Sequence, residues 1–354
     1  MNCFNIQSIN NTANGQAFAA SKPIADTIKT LKKIGCQNLG EIDSLPNIFG
    51  NRIVSRHALN AYFERVKSGD TIFIQYPLYI SYPAFWQVIR YLKHAKKCKL
   101  IFIVHDINSL RIDPKVGMKG MGHTNNEKVS LSNELRILRT GSEILVPTMA
   151  MRDFIRSTNK ISGRITVFGL YEHLSSSQIM PVFQKKQTMV FAGNLNKADF
   201  LTELTKSTFH YEVYGNRPST FSLPPNLDYR GSYPSEELSD QFTGGFGLVW
   251  DGSSIDKISG VIGNYLRYNS PFKASMFLAS GMPLVVWKQS AIADLVKQNN
   301  LGLTVDSLAE AENEIQLLTD EEYNILVNNA RSFGFQLRQG VQFTKALKHA
   351  LTSE

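Results

Sequence analysis

The stretch RYNSPFKASMFLASGMPLVVW, Arg267 to Trp287, joins a helix to a strand with almost nothing between them. Asn269 or Ser270 can cap a helix that has Pro271 at its first position. The helix runs through Met276 and Leu278, and Gly281 ends it. MPLVVW follows as a short apolar run of buried-strand type. A helix that feeds straight into a strand predicts crossover units and a parallel sheet. The helix start also points to chemistry, because its free N–H groups attract anions. Lys273 lies in the first turn, where a cation opposes the helix dipole. A first-turn lysine is mildly unfavourable unless an anion sits beside it, and a local conflict of this kind marks a functional site.

The same alternation extends outward in both directions. TIFIQYP (Thr71–Pro77), KLIFIVHD (Lys99–Asp106), SEILVPT (Ser142–Thr148) and RITVFGL (Arg164–Leu170) read as strands, with helical patterns such as SYPAFWQVIRYLKHAKK between them. Polar residues and proline loosen the chain at EHLSSSQIMPVFQKKQ (Glu172–Gln187). TMVFAGNLNKADFL then reads as strand, loop and helix, and HYEVYGNRP as strand and turn. NLDYRGSYPSEELSDQF reads as a short strand, a loop and a helix opened by PSEE, with Pro234 before Ser235. GFGLVWDG adds a strand, and beyond Asp320 the pattern is all helical. The expected class is α/β, in two successive halves with a linker near the middle.

The 354 residues suffice for two domains of ordinary size. Hydrophobic residues make up 43% and charged residues 19%, a globular balance. The net charge of +8 would suit nucleic acid, an anionic membrane or a phosphorylated small molecule. The densest basic run, YLKHAKKCKL, reads as the solvated end of one helix. No aromatic RNA motif, zinc finger or basic heptad region accompanies it, so nucleic acid is not the expected partner. Cys3, Cys36 and Cys98 are odd in number and far apart, so neither a disulfide framework nor a zinc spacing follows, and a reduced, cytoplasmic setting is expected. MNCFNIQSIN lacks the features of a signal peptide. No apolar run approaches the roughly 18 residues that span a bilayer. The chain is therefore read as not transmembrane, with room for peripheral contact at a membrane surface.

In open α/β sheets ligands bind beyond the carboxyl ends of the strands. In VFAGNLNK, Gly193 permits close backbone approach and Asn194 can reach a phosphate or sugar, although a plain strand-to-helix turn also favours Gly and Asn. Tyr214 in VYGN and Tyr233 in GSYP can pack on a base or hydrogen-bond it; each is equally readable as an ordinary aromatic. Asp251 in VWDGSS can hold a hydroxyl or the neighbouring loop. Asn269, Ser270 and Lys273 form the anion-binding helix start. In the first half, His105 and Asp106 end a strand and are candidates for touching a bound ligand, with a simple cap as the other reading. QYPLYISYP (Gln75–Pro83) offers aromatics that can stack on a sugar ring, and Arg111 precedes a polar, Gly-rich loop at VGMKGMGHTNNE. NTANGQAFAASKPIADTIKTLKKIG, from Asn11, follows the first strand and lacks G-x-G-x-x-G, which argues against a dinucleotide enzyme. Asn14 and Gly15 are its candidates for facing a sugar, Lys22 for reaching a phosphate or closing the loop, and Pro23 starts the helix.

With ASGMPLV after the anion-binding helix, the chain resembles the carboxyl-terminal half of retaining glycosyltransferases of the GT-B fold. YNSPFKASMFLASGMPLVVW, together with FAGNL, YG and WDG, is similar to the bacterial glucosyltransferases that add the second sugar to serine-rich-repeat adhesins, relatives of galactofuranosyltransferase-like proteins. The resemblance implies two Rossmann-like domains facing a central cleft. Residues 1–170 would be the acceptor side, 171–333 would bind the nucleotide sugar, and 334–354 would form a helix crossing back to the first domain. Phe335, Leu337, Val341 and Leu347 would be its exposed apolar positions.

The implied reaction moves a hexose, glucose first, from a UDP-sugar to N-acetylglucosamine O-linked to Ser or Thr of an adhesin. The implied assembly is a homo-oligomer, a dimer or tetramer. Asn14, His105 and Asp106 would serve catalysis. Gly15, Gly193, Asn194, Tyr214, Tyr233, Asp251, Asn269, Ser270 and Lys273 would bind the donor. Lys273 and the helix start would neutralise the leaving diphosphate, so neither a metal nor another cofactor is expected. Another sugar (galactofuranose or N-acetylglucosamine), a polysaccharide acceptor and a non-catalytic partner subunit stay open as alternatives. One departure stands out: the common pattern places a ribose-binding Glu five residues before Gly281, and this chain has Met276.

Overall fold

The computed structural model describes residues 2–8, 21–42, 47–48, 53–112, 129–175, 185–207, 209–216, 224–234 and 236–352. The chain forms two compact units: Met1–Gly15 with Ile24–Gly169 and Phe343–Glu354, and Gln16–Pro23 with Leu170–Gln342.

The first unit is built on a six-stranded sheet ordered β2-β1-β5-β6-β7-β8. Its strands are β1 (Cys3–Gln7), β2 (Gln37–Glu41), β5 (Thr71–Tyr76), β6 (Lys99–Val104), β7 (Glu143–Val146) and β8 (Arg164–Val167); a small antiparallel pair, β3 (Asn47–Ile48) and β4 (Ile53–Val54), stands apart. The ladders of the six are parallel. Every residue of β5 is buried, because crossover helices cover both faces of a parallel sheet. The crossovers are α1 (Lys22–Lys33), α2 (Arg56–Tyr62), α3 (Tyr82–Arg90), α4 (Asn108–Arg111), α5 (Leu131–Leu138) and α6 (Met149–Ser157). Ser55, Ser81 and Thr148 each accept a backbone N–H and cap α2, α3 and α6. The basic run after α3 is consumed locally: Lys96 donates to the carbonyls of Phe63 and Val66, and Lys93 to that of Thr140.

One expectation fails here. Cys3 and Cys36 are joined by a disulfide. Distance along the sequence was a poor guide, because parallel pairing of β1 with β2 brings their starts together, with the two Cα atoms 4.6 Å apart. Closing a loop with a sequence separation of 33 stabilises the oxidised chain by ~4 kcal/mol in the chain-entropy description. Dithiothreitol should therefore lower the melting temperature of the purified protein and leave a Cys36→Ser variant unmoved. Equal melting of the wild type with and without reductant would show that the bridge contributes nothing.

The second unit repeats the plan with the order β11-β10-β9-β12-β13-β14. Its strands are β9 (Lys185–Ala192), β10 (His210–Tyr214), β11 (Leu227–Gly231), β12 (Gly244–Val249), β13 (Leu284–Trp287) and β14 (Gly302–Val305), again in parallel ladders. Strand alternation sends Phe246, Leu248 and Trp250 into one apolar layer and Val249 into the other, which also holds Tyr214 and Phe277. The helices are α7 (Gly260–Tyr265), α8 (Phe272–Ala279), α9 (Ala293–Gln298), α10 (Leu308–Leu317) and α11 (Asp320–Gln339); the last helix, α12 (Val341–Thr352), belongs from Phe343 onward to the first unit.

Two expected helices are only 3-10 turns. After FAGN the chain makes such turns at Leu195–Lys197 and Asp199–Lys206, where Thr202 bonds back to the Asp199 carbonyl and competes with α-helical pairing. After PSEE only Leu238–Gln241 coils, and Ser235 lies outside the described residues. The last helix also starts later than expected. α11 continues through Gly334 to Gln339, and the break comes at Gly340, whose φ of 73° ends the helix. Of the four apolar positions named at this end, Phe335 and Val341 are exposed, whereas Leu337 and Leu347 are fully buried.

α8 is held from two sides by bare backbone. A Cβ at Gly247 of β12 would fall 2.3 Å from the Phe277 ring, and one at Gly334 of α11 would fall 1.8 Å from the Leu278 carbonyl oxygen. Glycine at Gly334 lets α11 approach α8 to backbone contact, and glycine at Gly247 leaves β12 room for the Phe277 ring.

Candidate functional site

The carboxyl end of β12 and the amino end of α8 meet in the second unit. Pro271 occupies the cap position with φ −63° and ψ 125°, and no side chain caps the helix. The sequence reading had placed Pro271 inside the helix and given the cap to Asn269 or Ser270. Because Pro271 itself takes the extended cap conformation, those two residues fall too early to reach the first N–H groups. Asn269 Oδ1 and Ser270 Oγ are buried without a hydrogen-bond partner among the described residues, and so is Ser275 Oγ within the second turn. An unmatched buried polar group costs about 1–3 kcal/mol. Three of them around one uncapped helix start mark a place that a polar ligand would complete.

Lys273 stands over the Phe191 ring, 4.7 Å from its centre. Its Nζ donates to the Trp250 carbonyl at 3.1 Å and to Asp251 Oδ1 at 3.0 Å. The anion that the first-turn lysine called for is thus supplied by the chain's own Asp251, from the end of β12. An ammonium has three N–H bonds, so one remains for a further acceptor. Trp250 Nε1 donates to the Ser254 carbonyl and fixes the loop behind Asp251.

The other donor-side candidates divide. The Gly193 N–H bonds the Tyr214 carbonyl and ties the ends of β9 and β10 together. Asn194 accepts from the Asn196 N–H and serves as a turn cap. Tyr214 is 1% exposed, and its hydroxyl donates to the Gln241 carbonyl. Its ring is core, and the expected contact with a base is corrected on that ground. Tyr233 is exposed and lies 6.2 Å, ring centre to ring centre, from Tyr214. Met276 is buried in the core. The Lys22 ammonium is buried and engaged by the Leu174 carbonyl and the Glu236 carboxylate, which corrects its expected reach to a phosphate. Asn14, Gly15 and the loop Val116–Glu127 lie outside the described residues.

In the first unit, Asp106 pairs with Arg111 at 3.1 Å. Arg111 also donates to Asn108 Oδ1 at 2.9 Å and to the Tyr79 hydroxyl at 3.4 Å. His105 Nε2 meets Gln75 Oε1 at 2.9 Å, so that nitrogen carries the proton. A ribbon of amides continues across the sheet: Gln75 donates to Asn5, and Asn5 donates to Gln7 and to Asn38. Sequence reasoning missed these residues, although polar Asn5, Gln7 and Gln75 inside apolar strands were a visible signal. It also missed Glu134, buried on α5, which accepts from the Tyr76 hydroxyl and from the N–H groups of Asn108 and Ser109.

Burial holds the His105 imidazole down at about 3. The unfolded chain takes up this proton near the ordinary histidine value, the folded chain only near 3. Stability linked to His105 is therefore complete above about pH 6.5 and is lost as the pH falls toward 3. At pH 5 the loss relative to pH 7.5 should be ~2 kcal/mol. Denaturant unfolding of wild type and His105→Gln at both pH values checks this; parallel losses would show that His105 titrates normally.

Two parallel-sheet units of Rossmann type make up the GT-B fold of glycosyltransferases, and the uncapped helix start with Lys273 in its first turn stands in the second. The structure of HepE from Anabaena, determined with UDP-glucose, has this architecture; it matches with a TM-score of 0.60 and 12% identity, covering all of both chains. The family descriptions "Glucosyltransferase 3-like, N-terminal domain" and "Glucosyltransferase 3-like, C-terminal domain" match residues 6–169 and 189–350, and the chain belongs to that family. It is 24% identical to beta-1,6-galactofuranosyltransferase WbbI of Escherichia coli K12, over 98% of this chain and 97% of that one. It is 27% identical to glucosyltransferase 3 of Streptococcus gordonii, over 83% and 82%. Among the described residues no helix is long and apolar enough to cross a membrane, and no group of three or more His, Cys, Asp or Glu is placed to hold a metal ion.

Proposed function

We propose that the protein transfers a hexose from a UDP-sugar to a hydroxyl of a glycan acceptor, with glucose as the first candidate donor sugar and N-acetylglucosamine on Ser or Thr of an adhesin as the first candidate acceptor. The observation that carries this reading is the start of α8: no capping side chain, unpartnered oxygens on Asn269 and Ser270, and Lys273 with an N–H to spare. A diphosphate supplies what this place lacks. In transfer, the acceptor oxygen bonds to the anomeric carbon while the bond from that carbon to the diphosphate oxygen breaks. The electron pair leaves with UDP, and the hydroxyl proton passes to a base. Lys273 and the helix start neutralise the charge gathering on the diphosphate without a metal, and Asp106 is our candidate to receive the proton.

Galactofuranose is a second reading of the donor, supported by the nearly full-length match to the Escherichia coli relative. Incubating the protein with a panel of UDP-sugars, then with a peptide bearing N-acetylglucosamine on Ser or Thr, separates these readings. Turnover of UDP-glucose is the expected result. Turnover of UDP-galactofuranose alone would replace glucose, and turnover of no nucleotide sugar would favour a non-catalytic subunit.

A further inference from the structure

A pocket opens in the first unit at the carboxyl end of β5, under the turn after Tyr76 and against α5. Tyr76 and Phe85 form its buried floor, Ile80 and Tyr82 its half-exposed wall, and Ser130 and Asn133 its polar rim. Nothing in the donor chemistry uses it. We propose that this pocket seats a pyranose ring of the sugar acceptor, an inference that rests on the glycosyl-transfer reading above.

Three observations support it. The lining is two-sided in the way a pyranose is: aromatic and aliphatic surface for the C–H face, and a hydroxyl and an amide for the ring hydroxyls. The pocket is preformed, because Glu134 accepts from the Tyr76 hydroxyl and from the N–H groups of Asn108 and Ser109, fixing the floor and the start of α4 together. It also adjoins the polar groups that a reacting hydroxyl would need. Asn108 lines the pocket and accepts from Arg111, which pairs with Asp106. The Glu134 carboxylate in the lining disfavours an anionic occupant.

The test measures ring binding apart from donor chemistry. Saturation-transfer NMR with methyl glucopyranoside, methyl galactopyranoside and methyl N-acetylglucosaminide should show contact through the C–H face in the wild type, reduced in Tyr82→Ala and in Asn133→Ala. With p-nitrophenyl pyranosides as acceptors and a UDP-hexose as donor, the acceptor KM should rise about tenfold in Tyr82→Ala, while UDP affinity by calorimetry holds. Asn133→Ala, a half-exposed position, serves if Tyr82→Ala does not fold. Unchanged pyranoside binding and KM in a folded variant overturn the assignment, as does a failure of every pyranoside to bind a wild type that binds UDP. A wild type that binds no UDP would sink the transferase reading instead.

Discussion

Replacing Lys273 by alanine should weaken UDP binding roughly 30- to 100-fold, the size of a lost charge-assisted hydrogen bond. The argument is local. Lys273 sits in the first turn of α8, where a lone cation is unfavourable. Asp251 neutralises it, yet the Asn269 and Ser270 oxygens beside it stay unmatched. A lysine kept only for structure would not need those oxygens left open. Titration calorimetry with UDP reads the effect, and Asp251→Asn is the control. That change removes a competing negative charge while keeping the shape, so UDP affinity should hold or tighten. An unaltered UDP affinity in Lys273→Ala would remove the diphosphate from this helix.

Gly334→Ala should lower the melting temperature by about 10 °C, from a destabilisation of about 4 kcal/mol. Intrinsic propensity argues the other way, since alanine in a helix interior is favoured over glycine by roughly 1 kcal/mol. The sign of the change therefore decides which physics governs the site. The added carbon would meet the Leu278 carbonyl oxygen at 1.8 Å, and backbone has no rotamer with which to retreat. α8 and α11 must part, and UDP affinity should fall along with stability. Scanning calorimetry settles the first point; a melting temperature within 2 °C of wild type or above it would refute the close contact.

Much of this architecture was readable from residues. β5, β6, β7 and β13 were legible because parallel strands buried on both faces are largely apolar runs. β2, with sequence QNLGE, and β14, with GLTV, gave no such run and went unseen. Both are edge strands, paired on one side only. The helices expected near FAGN and PSEE failed for a different reason: local side-chain and carbonyl bonds won over propagation in segments too short to nucleate well. At the site, Lys273, Asp251, Asn269 and Ser270 were all named from sequence. What was not legible was that Lys273 and Asp251 hold each other, since a contact between residues 22 positions apart depends on where β12 ends. Tyr214 misled because a tyrosine at a strand end looks the same whether its ring faces solvent or the core. The disulfide was missed because sheet order is not written in cysteine spacing.

The amide ribbon of the first sheet has a direction. Asn5 gives its N–H to Gln7, Gln75 gives its own to Asn5, and the His105 ring gives its own to Gln75. Each amide has one donating and one accepting end, so no member can turn over alone without setting two oxygens or two N–H groups face to face. The choice of which His105 nitrogen bears hydrogen is therefore made collectively, from β1 through β5. The imidazole presents its other nitrogen as a lone pair, and the side chains that dictate this stand strands away from it.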